Sequence, residues 1–157
     1  MGMIDARLGE LGIALPKPAA PVANYVGAVL AGDMLVISGQ LALGIDGKLD
    51  PSHRGKLGHG VEDAVGRAAA RLCAINVLAQ AKAALGDLDR LERCVRLGGF
   101  INAAPDLTDL ALIMNGASDL MVEVLGDKGR HARSTIGVAS LPFGCAVEVE
   151  ALFRVRS

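Results

Sequence analysis

Ala132-Arg133-Ser134-Thr135-Ile136-Gly137-Val138-Ala139-Ser140-Leu141-Pro142-Phe143-Gly144-Cys145-Ala146-Val147-Glu148-Val149-Glu150 is the stretch around which the chain is organised. It reads as two β-strands flanking a Leu-Pro-Phe-Gly turn. Alternate side chains of a strand share a face. Arg133, Thr135, Gly137 and Ala139 thus line one face of the first strand, with Ser134, Ile136 and Val138 on the other. In the second strand Cys145, Val147, Val149, Ala151, Phe153 and Val155 make an apolar face, and Glu148, Glu150 and Arg154 lie opposite. The stretch therefore offers an arginine, a hydroxyl and a carboxylate from neighbouring strands, among small residues that leave space.

Upstream, Val61, Ala64, Val65, Ala68, Leu72, Ile75 and Ala79 recur at helical spacing and predict a helix over 60–85, with Gly86 suited to its C-terminal cap. Pro105-Asp106 followed by Leu110, Ala111, Met114, Ala117, Leu120 and Val124 predicts a second helix ending at Gly126. Strands are expected over 24–30 and 34–38, joined by Ala31-Gly32-Asp33, and again over 91–101. Residues 43–60 are polar and glycine-rich and read as a loop with a turn at Asp46-Gly47. Ile4, Leu8, Leu11 and Leu15 suggest a short N-terminal helix, and Pro16, Pro18 and Pro21 an extended connector. The order ββ-α-β-α-ββ implies an α+β fold, a mixed sheet with both helices packed on one face. The other face would still carry Ile, Val and Leu, and burial in a symmetric assembly would cover them.

At 157 residues the chain is expected to form a single domain, 1–157, with 1–20 as an N-terminal extension. Its residues are 52% hydrophobic but only 3% aromatic, so the core must be aliphatic. A net charge of −1 without a basic cluster gives poor grounds for a nucleic-acid partner. No membrane span and no secretory signal are expected. Three cysteines far apart in sequence argue against a disulfide framework and for a reducing, cytoplasmic setting.

Among chemical candidates, the planar fork of Arg133 suits two-point capture of a carboxylate, or else a structural ion pair with Glu148 or Glu150. Glu148 or Glu150 could orient a water. Asn115 falls inside a predicted helix, where asparagine is disfavoured. His53, His59 and His131 lack metal-ligand spacing, and Cys73, Cys94 and Cys145 read as core. Neither a metal nor an organic cofactor is expected.

The pattern Ala-Arg-Ser-Thr-x-Gly-Val-x-x-Leu-Pro-x-Gly-x-x-Val-Glu-Val-Glu-Ala resembles the C-terminal signature of the YjgF/Rid family, the reactive-intermediate (imine) deaminases. The resemblance continues through Asn24-Tyr25, Ile37-Ser38-Gly39-Gln40 and Gly99-Phe100-Ile101-Asn102 to Asn115, so it spans most of the chain. It implies a chorismate-mutase-like fold and a homotrimer with sites between subunits. It also implies hydrolysis of small 2-imino acids to 2-keto acids and ammonia. Arg133 would hold the substrate carboxylate, and Glu148, fifteen residues on, would be the functional glutamate. Tyr25, Ser38, Gly39, Asn115 and Thr135 would line the pocket. Thr135 stands where many deaminases of this family carry cysteine, which removes any thiol chemistry but not hydrolysis led by water. The rival expectations are a non-catalytic binder of small carboxylates and, against the charge balance, a ribonuclease.

Overall fold

The computed structural model describes residues 2–21 and 23–156. In chain order the elements are α1 (Met3–Glu10), β1 (Ala28–Ala31), β2 (Met34–Leu41), β3 (Lys56–Leu57), β4 (Gly60–Val61), α2 (Asp63–Leu85), β5 (Leu91–Asn102), α3 (Leu110–Leu125), β6 (Ala132–Val138) and β7 (Val147–Val155). The main sheet runs β1-β2-β7-β5-β6 and is antiparallel except where β5 and β6 run parallel. A parallel pair needs a crossover, and α3 provides it. Both long helices cover one face, which is the expected α+β arrangement with a mixed sheet.

Three expectations need correction. The strands of the defining stretch are not neighbours: β5 lies between β6 and β7. The loop between them is tied down by Lys56 Nζ, which donates to Asn102 Oδ1 (2.8 Å) and to the Ala139 carbonyl (2.6 Å). Residues 24–27 form a bend rather than strand, and β2 runs on to Leu41. The predicted loop 43–60 contains β3 and buries Leu57 completely. By length and hydropathy alone α2 could cross a membrane. Here it is the central core helix, with Ala70, Cys73, Ala74, Val77, Leu78 and Ala81 buried.

The aliphatic core is closed by small residues. A Cβ on Gly99 would meet Met114 Sδ at 2.5 Å, and one on Gly66 would meet Leu57 Cδ1 at 2.5 Å. A Cβ on Gly116 of α3 would strike the Arg67 carbonyl of α2, so the two helices meet at backbone distance. Arg67–Asp119 (2.6 Å) and Arg71–Glu123 (2.8 Å) bridge the same helices, but both pairs are solvent-exposed enough to contribute little. At the N-terminus Asp89 caps α1 from outside, accepting from the backbone amides of Met3 (2.7 Å) and Ile4 (2.8 Å). Those amides hold the Asp89 carboxyl below the usual carboxylate range.

Replacing a helical glycine by alanine ordinarily gains up to ~1 kcal/mol. Gly116→Ala is expected to lose stability instead, by the ~1–3 kcal/mol typical of overpacking. Thermal unfolding should drop by about 2–4 °C per kcal/mol. Gly9→Ala in α1, where nothing lies within 4 Å, should unfold at or above the wild-type temperature. If G116A melts as high as G9A, the close α2–α3 approach is not what Gly116 provides.

Candidate functional site

Ala111, Asn115 and Ser118 sit four and three residues apart on α3, so they share the helix face beside β6. Arg133, on edge strand β6, points at that face. Its Nη1 donates to Asn115 Oδ1 (2.9 Å) and Ser118 Oγ (3.1 Å), and Nη2 makes a long contact to the Ala111 carbonyl (3.4 Å). Both Nη1 hydrogens are thereby engaged with neutral oxygens. Arg133 lines a shallow cup of about 280 Å³ with Asn115, Ser118, Asp119, Val122, Arg130 and His131, where Asp119 is paired with Arg67. Among the described residues its Nε makes no hydrogen bond, and the Nε–Nη2 edge is the geometry that grips a carboxylate in two places. Among the described residues no carboxylate pairs with Arg133. Two residues along β6, Thr135 has a buried Oγ1 without a hydrogen-bond partner.

Glu148 lies in β7 with Val147 and Val149 on either side, both fully buried under the helices. Alternation sends its own side chain to the opposite sheet face. There its carboxylate lies over Gly39, so close that a Cβ at residue 39 would collide with Glu148 Oε1. The register supplies this space: Ile37 pairs with Ala151 but Gln40 with Val149, so β2 carries one extra residue at Ser38–Gly39, a β-bulge. Gln40 Nε2 donates to the Ser38 carbonyl (2.9 Å), which fixes the bulge, and Ser38 Oγ donates to the Val26 carbonyl (2.7 Å), which fixes the bend carrying Tyr25. Burial pushes the Glu148 carboxyl above its ordinary range, and the neighbouring Glu150 charge adds to this. Glu150 itself faces Arg96 at 3.7 Å.

The predicted residues therefore fall into two sets. Arg133, Asn115 and Thr135 gather on the helix-covered side at the β6 edge. Tyr25, Ser38, Gly39 and Glu148 gather around β2 and β7, where Tyr25 and Gly39 share a cleft of about 220 Å³ with Gln40, Gln80 and Phe143. Neither cleft is lined by a member of the other set. This settles the ion-pair alternative: Arg133 pairs with neither Glu148 nor Glu150.

Ser118, Gln80 and Phe143 were missed by sequence reasoning, and His131 was weighed only as a metal ligand. Ser118 is three residues from Asn115, and His131 alternates with Arg133, so their shared faces were available signals. Phe143 holds a left-handed backbone (φ 58°) and a 66% exposed ring, a conformation costing about 1–3 kcal/mol. Burial pushes the thiols of Cys145 to about 11 and Cys94 to about 12, so both stay protonated at neutral pH.

The pattern of a family described as YjgF/chorismate-mutase-like, with endoribonuclease as its attributed activity, matches residues 5–153. The chain belongs to the YjgF family. Protein TCP17 of Trypanosoma cruzi is 48% identical over 157 residues, covering 99% of this chain and 96% of that protein. A crystal structure of an Agrobacterium tumefaciens protein of unknown function is 44% identical, with a TM-score of 0.89 over 98% of this chain and 92% of its own. Escherichia coli TdcF, solved with bound serine, is 27% identical, with a TM-score of 0.64 over 90% of this chain and 94% of its own. The fold is thus the chorismate-mutase-like fold of YjgF proteins.

A carboxylate whose proton affinity is raised on folding destabilises the protein once it ionises. That cost is absent below the unfolded-state value, where both states are protonated. It appears as pH rises through the folded-state value and persists above it. Glu148→Gln should therefore be more stable than wild type in urea at pH 7, with the difference closing as the pH falls through the carboxylate range. Equal stability at pH 7 would mean Glu148 is not strained.

Proposed function

We propose that this YjgF protein hydrolyses small 2-imino acids, tautomers of enamines such as 2-aminoacrylate, to 2-keto acids and ammonia. The observation that carries the reading is the unneutralised Arg133, which lines a cup, is held by neutral oxygens and has no salt-bridge partner among the described residues. A small anionic ligand completes it. TdcF, with serine bound, is a relative that accepts a ligand carrying a carboxylate.

Arg133 holds the substrate carboxylate through Nε and Nη2, which fixes the adjacent C=N carbon. Thr135 Oγ1, lacking a partner, is available to the imine or the added oxygen. Water adds to the imine carbon while a carboxylate takes one of its protons and passes it to nitrogen, which gives the carbinolamine. The hydroxyl proton is then carried to nitrogen in the same way as the C–N bond breaks, so ammonia leaves and the C=O of the 2-keto acid remains. An imine is already electrophilic, so positioning plus general-base help of about 10²–10⁴-fold is enough. Glu148 is the base: its raised proton affinity suits it to accept a proton near neutral pH better than a solvated carboxylate. Neither a metal nor an organic cofactor is required by this chemistry.

Arg133 and Glu148 occupy opposite faces of one sheet, so we infer that each site combines Arg133 of one subunit with Glu148 and Tyr25 of the next, in a homotrimer. The exposed Val29, Val36 and Ile136 give the open face apolar surface to bury in such an assembly. The cysteines are free and buried, and we infer a reducing, cytoplasmic setting.

Arg133→Ala should remove the acceleration of ammonia release from freshly generated 2-iminopropionate, and Glu148→Gln should lower kcat by about 10²-fold or more. Mixed oligomers of these two inactive chains should regain activity, because some sites then receive an intact Arg133 and an intact Glu148. Wild-type turnover in R133A would remove the proposal; no recovery on mixing would remove the shared site. Pyruvate-induced stabilisation without any turnover would identify a carboxylate-binding protein instead, and RNA cleavage lost in R133A a nuclease.

A further inference from the structure

Beside Arg133 lies a histidine that the proposed reaction does not use. His131 Nδ1 is 2.6 Å from the Gly129 carbonyl, and Nε2 is 2.9 Å from Ser118 Oγ. A carbonyl oxygen only accepts, so Nδ1 carries the proton. In the neutral ring Nε2 is then an acceptor, and the Ser118 hydroxyl must donate to it. This directs the hydroxyl proton away from Arg133 and turns an oxygen lone pair toward Arg133 Nη1, 3.1 Å away. Gly129 fixes the tautomer, the tautomer fixes the hydroxyl, and the hydroxyl fixes the guanidinium.

We propose that His131 is a positioning residue for Arg133, acting through Ser118. The proposal deepens the functional reading above and rests on it for its catalytic consequence.

The elements make this relay rigid. His131 directly precedes β6 and alternates with Arg133, so imidazole and guanidinium both lie on the α3 side of the sheet. Ser118 and Asn115 are one helical turn apart, and each takes one of the two Nη1 hydrogens. With Nη1 held at two points, rotation about the Cζ–Nε bond is blocked, and the Nε–Nη2 edge keeps a single direction. Gly129 is also held: a Cβ there would collide with the Met121 carbonyl, so its Cα is packed against the backbone of the last turns of α3. A fork positioned before the ligand arrives loses less freedom on binding. Without His131 the Ser118 hydroxyl is free to rotate its proton toward Nη1, where it repels, and the fork loosens. The relay thus acts on the affinity for the carboxylate rather than on the proton-transfer step.

The test uses full-length His131→Phe, His131→Gln, Ser118→Ala and the double variant H131F/S118A, with Arg133→Ala as reference. Pyruvate is the binding probe and 2-iminopropionate the substrate. H131F and S118A should each raise the pyruvate Kd and the KM about three- to tenfold, the effect of losing one hydrogen bond of ordinary net strength, with kcat changed less than KM. The double variant should be no worse than either single one, because both act on one path. Nitrogen NMR of the wild-type protein should show His131 protonated at Nδ1 and bare at Nε2, and separate Arg133 Nη signals that merge in H131F and S118A. H131Q, which keeps a polar side chain and guards against a folding defect in H131F, should merge those signals less. A wild-type ring protonated at Nε2 alone, additive losses in the double variant, or unmerged Nη signals in both singles would each overturn the relay. If R133A leaves turnover intact, the deaminase reading fails while the NMR arm still decides the relay. If R133A is inactive and H131F and S118A bind pyruvate like wild type, the relay fails alone.

Discussion

β5 stands between the two strands that carry the arginine and the glutamate, and the rest of the site follows from that placement. β5 and β6 run parallel, so the chain must cross over between them, and α3 is the crossing element. The crossover puts α3 above β6, and whatever β6 presents on that side meets the helix. Arg133 meets Asn115 and Ser118 for this reason. β7 then returns antiparallel to β5 with its odd-numbered residues in the core. Glu148 is left on the far side. No side-chain rotation reunites the two groups, because the sheet itself is between them.

The same helix must be held closely for the arginine to be held at all. The protein builds its interior almost without aromatics, and among the described residues Phe153 is the one large ring with a fully buried side chain. Small residues do the fitting. Gly116 lets α3 reach the backbone of α2, and Gly99 admits Met114 between α3 and β5. These contacts set the height of α3 over the sheet, and that height sets where Asn115 and Ser118 lie relative to β6. Packing and site geometry are thus one constraint. Gly39 does the corresponding work on the other face, where the absence of a Cβ and the β2 bulge make room for the Glu148 carboxylate.

Both long helices, the alternation within β6 and β7, and the turn at Gly32 were legible because they are local. Periodicity and turn chemistry need only nearby residues. Strand adjacency was not legible: the sequence shows β6 and β7 as consecutive runs, and only tertiary pairing inserts β5 between them. Reading them as neighbours placed Arg133 and Glu148 together when they lie apart. Asn115 was found because asparagine is unusual inside a helix. Ser118 was passed over because a serine on a half-exposed helix face signals nothing until its neighbour is known. His131 was read for metal spacing and rejected, when its partner is a hydroxyl. Leu57 was hidden in a stretch whose glycines and charges suggested an exposed loop, although those glycines turn the chain so that one leucine reaches the core.

Keeping the two charged groups on opposite faces has a chemical consequence of its own. An arginine and a glutamate within reach of each other form an ion pair, and each then loses what makes it useful. The guanidinium no longer needs a ligand carboxylate, and the glutamate, held ionised by the cation, becomes a weak base. In this chain Arg133 is satisfied by neutral oxygens and retains its full charge for an anion. Glu148 is half-buried beside Glu150, and both effects raise its proton affinity. If a second subunit brings the halves face to face, a substrate carboxylate entering between them neutralises Arg133 first. The cation then no longer lowers the proton affinity of Glu148 at the moment a base is needed. In the proposed reaction the separation within the subunit would thus keep the arginine ready to bind and the glutamate ready to accept a proton.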